Sequence, residues 1–213
     1  MTLIIGPSTS PTSLSAHQAL VNRSPYFASA LSSTSTSINL PDADLDAVSA
    51  VLEYLYTGEY FPHKLSSTSL QTDPLLPSKQ DKTGDQLLRH AKVYTLAEKL
   101  GLPSLRTLAH SKIHLVDSNA VAELAYARYV YSNTAKADIT IRKPVASFWG
   151  QRSHVLRHET EGSFREMCLE FPEFAFDVLS HLLDAEEKRD ERKRKSTAGD
   201  DGPTQGSARK RRG

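Results

Sequence analysis

Apolar positions fall into short β-like runs near the start of the chain and into helical repeats after it. Thr2-Leu3-Ile4-Ile5 is β-branched and apolar and stops at Gly6-Pro7, which predicts a strand and a turn. Ser8–Ser13 is a polar connection, and Leu14-Ser15-Ala16-His17 predicts a second strand pairing back as a hairpin. Ser24 before Pro25 has the form of an N-cap followed by proline in the first turn, so two short helices should meet there. The Ser/Thr run Ser32–Ser37 predicts loop, Ile38-Asn39-Leu40 a brief strand, and Pro41-Asp42 its end.

The strongest periodicity is Val48, Val51, Leu52, Leu55 and Tyr56, one face of a helix preceded by Asp42, Asp44 and Asp46 and stopped by Gly58. Tyr54, Tyr56 and Tyr60 either form an aromatic interaction surface or are packing residues. The expected reading is packing, with Tyr56 in the core and the other two half-buried. His63 to Asp85 turns to Ser, Thr, Asp, Lys and Pro and predicts a flexible surface insertion. Leu88, Ala91, Leu96 and Leu100 predict a helix from Gln86 to Gly101, and Pro103 starts another through Ile113.

Ser118 can cap a further helix with Val121, Leu124, Ala125 and Tyr129 on one face. The stretches at Ile139–Gly150 and at Phe164, Met167 and Cys168 predict a helical extension. A helix from Pro172 with Phe174, Val178, Leu179 and Leu182 completes it. Beyond Asp184 charges take over, with Asp190/Arg194 and Glu191/Lys195 in favourable order four residues apart, so this helix should run on into solvent. Ser196–Gly213 has the composition of a disordered tail.

Composition narrows the function classes. The 26 basic and 25 acidic side chains nearly cancel, which argues against the whole protein gripping nucleic acid by charge. A single cysteine, Cys168, excludes an intramolecular disulfide and a cysteine-based zinc site, and fits a reducing compartment. No apolar run approaches a membrane span or a secretory signal, so no membrane partner is expected. His110 and His114 share a helix face, but Ser111 stands where a zinc protease would carry Glu; a solvated face is the expected reading, with no metal and no cofactor. Neither a G-x-S-x-G turn nor a phosphate-cradling glycine loop occurs, and no enzyme is expected.

Five segments in one order carry a family resemblance: His17–Val21; Arg23-Ser24-Pro25-Tyr26-Phe27; Ile38–Asp42; Leu52–Tyr60, with Leu55, Tyr56 and Gly58; and Ala91–Leu102, with Tyr94 and Ala97. Together they resemble the BTB/POZ domain, most nearly the fungal members with a helical C-terminal region. The resemblance implies an α+β fold, a small sheet flanked by a helix cluster, followed by an α-helical extension and a disordered basic tail. It assigns 1–116 to a BTB/POZ-like domain with a flexible insertion at 63–85. The helical extension takes 117–185, and the charged helix end and basic tail take 186–213. It implies protein binding, often as a dimer, and no catalytic residue. The strand that family members exchange has no counterpart ahead of Met1, and Ser32–Ser37 lacks the aromatic and Glu of cullin recruiters, which weighs against both activities.

The clusters Lys188-Arg189, Arg192-Lys193-Arg194-Lys195 and Arg209-Lys210-Arg211-Arg212 form a candidate bipartite nuclear import signal, or an arm on nucleic-acid phosphates. The leading expectation is a nuclear, non-enzymatic adaptor that binds a partner protein, a second copy included. The alternatives are a cytoplasmic location, a cullin ligase substrate adaptor, and a nucleic-acid-associated factor using the tail alone.

Overall fold

The computed structural model describes residues 1–31, 36–74 and 80–198. It is α+β, with 63% of the described residues helical and one small mixed sheet. Strands β1 (Thr2–Ile5), β2 (Thr12–Ser15) and β3 (Ser37–Leu40) lie in the order β2-β1-β3. β1 pairs antiparallel with β2, Leu3 opposite Leu14, and parallel with β3, Leu3 opposite Ile38. Period-two alternation turns Leu3, Ile5, Ile38 and Leu40 inward, where all four are buried. The second strand begins two residues earlier than the sequence pattern suggests. Ser37, expected in a loop, pairs with Thr2 in β3, because the parallel register needs one more residue than the apolar run supplies. The rest of that Ser/Thr run, 32–35, lies outside the described residues.

Helices α1 (Gln18–Val21) and α2 (Pro25–Ala30) meet at Ser24, as the cap and proline predict. Ser24 Oγ accepts from the Phe27 N–H at 3.4 Å and donates to the Leu100 carbonyl at 2.6 Å, tying α2 to the end of α4 (Asp85–Leu100). Helix α3 (Leu45–Thr57) is capped by Asp44, whose carboxylate accepts from Ala47 N–H at 3.1 Å and from Lys92 Nζ at 2.6 Å. Gly58 closes α3 at φ +82°, a conformation that costs any residue with a Cβ.

Helix α4 is central: it packs on α3, α5 (Pro103–Ile113) and α6 (Ala120–Asn133), burying Leu87, Ala91, Tyr94, Ala97 and Leu100. The described parts of 63–85 lie against the fold. Asp73, buried, accepts from Arg89 at 3.1 Å. Asp81, also buried, accepts from the backbone N–H groups of Gly84 at 2.8 Å and of Gln86 and Leu87 at 3.0 Å, so it takes up orphan donors at the start of α4. Its own backbone pairs with Asp117 and Asn119.

Two local expectations give way here. Asn119, not Ser118, caps α6, accepting from Ala122 N–H at 2.9 Å, while Ser118 donates to the buried Glu123 carboxylate. Val121 is exposed, and the buried face runs through Ala122, Tyr126, Val130 and Tyr131, because α6 is covered from two sides. Helices α7 (Ile139–Glu159), α8 (Ser163–Glu170) and α9 (Pro172–Ala198) complete the described residues. Their Trp149, Met167 and Phe174 join the same continuous core as the sheet and α3–α5. Helix α9 carries Ser196–Ala198, three residues expected in the tail.

Candidate protein-interaction surface

Helix α9 holds to the molecule by one face of its first half. Phe174 and Val178 are buried, and Gly150 of α7 lets the helices approach so closely that an added Cβ would lie 3.0 Å from His181 Cβ. Leu179 and Leu182, grouped by the sequence pattern with Phe174 and Val178, are instead exposed. The reason is that α7 and α8 cover only one side of α9. Phe176 (68% exposed), Leu179 (51%) and Leu183 (50%) recur at three and four residues and make one outward apolar stripe. Repeated along one face, these exposed side chains form a contiguous apolar stripe and not scattered surface apolars.

The same face continues into charge at Glu186, Asp190 and Lys193. Lys188, Arg189, Arg192, Lys193, Arg194 and Lys195 are all exposed on this projecting end, with Lys193 Nζ 3.9 Å from Asp190. Arg209, Lys210, Arg211 and Arg212 lie outside the described residues. Among the described residues no helix is long and apolar enough to cross a membrane.

The densest set of ionisable groups lies elsewhere, at the turn after α3. Lys112, 0% exposed, donates to the Tyr60 and Pro62 carbonyls and to Glu59, with Nζ 3.7 Å from the centre of the Tyr60 ring. All three ammonium donors are thereby satisfied, as a buried charge requires. Burial pushes the Glu59 carboxyl up, but the bond from Lys112, the Tyr60 N–H and the ammonium charge outweigh it and hold the group below its ordinary value. Burial pushes Lys112 down against the pull of Glu59. Tyr60 Oη lies 2.8 Å from His90 Nδ1; burial raises the phenol and lowers the imidazole to about 3.

Neither Tyr60 nor His90 exchanges a proton near neutrality, and the cluster acts as a staple between α3, α4 and α5. His90, Arg89, Asp73 and Asp117 line a cleft of about 310 Å³ beside it. Sequence reasoning missed this set; a lysine at a core-facing helical position was the available signal. It also inverted the tyrosines: Tyr60 is buried, Tyr54 half-buried, and Tyr56 is 47% exposed. The αL residue Gly58 ends α3 and turns the chain inward at Tyr60, while Tyr56 faces out to meet His17.

Each residue quoted for the family resemblance has a scaffold role. His17 precedes α1, its Nδ1 2.6 Å from Tyr56 Oη. Pro25 opens α2 against Gly101, Tyr26 is half-buried, and Phe27, Leu55 and Ala97 are core. Tyr94 donates to Asp138 at 2.9 Å. On α5, His110 is half-buried and His114 exposed, their Nε2 atoms 3.3 Å apart and their rings nearly perpendicular. Among the described residues no group of three or more His, Cys, Asp or Glu side chains is gathered around a common point.

A family model described as the HAC6 N-terminal domain matches residues 16–120, just under half of the chain. The match corrects the BTB/POZ reading: the chain is similar to that domain, and no BTB/POZ family matches. The five segments misled because caps, αL glycines and apolar helix faces report how elements start, stop and pack, which different families share. No curated protein matches the chain.

Proposed function

We propose that the protein is a non-enzymatic protein-interaction adaptor whose partner-binding element is the outward stripe of α9. The single observation that carries this reading is the recurrence of Phe176, Leu179 and Leu183 on a helix face that nothing else in the described chain covers. A helix of this kind docks into an apolar groove on its partner. Arg189, Arg192 and Lys193, farther along the helix, favour a groove with an acidic rim at that end.

A second copy is a poor occupant. The seam repeats at 176, 179, 183, 186, 190 and 193, so parallel pairing would set Glu186, Asp190 and Lys193 against their own copies, and like charges repel there. Cullin docking and strand exchange rested on the BTB/POZ resemblance and have no other support. The exposed basic end of α9, continued in sequence by Arg209–Arg212, supports nuclear delivery as part of this reading.

The test is quantitative affinity purification of the full chain against the Phe176→Ser/Leu183→Ser variant, with sedimentation of both. A defined partner retained by the native chain and lost from the variant, with the native chain monomeric, is expected. An unchanged partner set, or a native dimer dissolved by the substitutions, overturns the proposed mode.

A further inference from the structure

The histidine pair on α5 has a geometry that its sequence spacing does not by itself require. The chain holds a second pair at the same spacing, His154 and His158 on α7, both exposed and without contact between their rings. His110 and His114 instead turn their Nε2 atoms toward each other, 3.3 Å apart. Two imidazole nitrogens at about 2.0–2.1 Å from one ion, with a near-tetrahedral angle between them, lie about 3.3–3.4 Å apart. The two nitrogens, hydrogen-bonded to each other, therefore already stand at the separation of a chelate, and a metal ion would replace the proton they share. We propose that His110 and His114 form a bidentate site for a divalent transition-metal ion of the imidazole-binding kind, zinc or copper, with solvent completing its coordination.

Two further features agree. The ring of His110 has an acceptor beside it: Pro144 lacks an N–H, leaving the Thr140 carbonyl, which acts on His110, without its helical donor. Donation from Nδ1 to that carbonyl would orient Nε2, as outer-shell partners of ligating histidines do. Finally, the pair sits on the last turn and C-cap of α5, where the negative end of the dipole of an 11-residue helix favours a cation.

Charge around the pair is mixed. Asp138 and Arg106 act on His110 with opposite sign, and His114 borders a depression that Asp117, Glu123 and Arg152 also line. The site therefore draws its affinity from the two imidazoles, and discriminates against magnesium and calcium, which prefer oxygen ligands.

The test is calorimetric titration of the untagged full chain with zinc, and separately with magnesium, at pH 7.5. One zinc equivalent is expected, weakened at least tenfold in His110→Ala/His114→Ala, unchanged in His154→Ala/His158→Ala, and absent for magnesium. Because His114 is exposed, His114→Ala alone keeps the fold, which circular dichroism checks, and it too should weaken zinc at least tenfold. Unchanged affinity in either α5 variant, loss of the site in the α7 variant instead, or no zinc binding by the native chain overturns the proposal.

Discussion

The two halves of the molecule close their parts of the shared core by opposite means. Around α5 the last gap is filled by a charge, with Lys112 wrapped by two carbonyls, a carboxylate and the Tyr60 ring. Between α7, α8 and α9 it is filled by aromatic surface: Trp149 stacks on Phe164 at 5.2 Å and meets Phe174 edge-on at 6.1 Å. The first cluster satisfies every ammonium donor. The second leaves Trp149 Nε1 buried without a partner. A staple made of charges specifies one geometry and depends on protonation; an aromatic plug tolerates an unmet donor because the buried area outweighs it.

The largest effect should come from the plug. Trp149→Ala is expected to cost about 4 kcal/mol of stability, with the same loss at pH 5 and pH 8, since no titrating group is involved. Urea unfolding at the two pH values measures this, and a pH-dependent loss would contradict the division drawn above.

Lys112→Met comes next, at about 3 kcal/mol, because it keeps the volume but strands Glu59 and the Tyr60 and Pro62 carbonyls. If instead it proves neutral, the charge is replaceable and the staple is only packing.

The smallest effect is a slope. His90 has an ordinary value of 6.5 and a folded value of about 3, so the unfolded chain binds its proton first as pH falls. Its contribution is whole above pH 6.5 and is lost as pH drops toward 3, at no more than about 1.4 kcal/mol per pH unit. His90→Gln should flatten the fall of the melting temperature between pH 6.5 and 4.5 without abolishing it, since His110 and His114 titrate in the same direction. An unchanged slope in that variant would remove His90 from the account.

Most of the elements were legible in the sequence because their signals are local. Ser24-Pro25, Asp44 and the stops at Gly58 and Gly101 act within a turn of themselves, and each stands where the pattern put it. The candidate surface was legible only in part. Its basic end is a run of charges, but Leu179 and Leu182 looked like core, since period alone marks an apolar face without saying whether anything covers it. Tyr56 and Tyr60 changed places for the same reason.

The sequence by itself determined the helix faces, the caps and turns, and the charge pattern of the last helix, all of which follow from spacings of a few residues. Only the tertiary structure decided which apolar stripe stays in solvent, that a lysine is the best-buried charge, and which of two equally spaced histidine pairs converges. Those outcomes depend on residues tens of positions apart meeting across helix interfaces, such as Lys112 of α5 reaching the Tyr60 and Pro62 carbonyls beyond α3. A local pattern carries no record of such meetings.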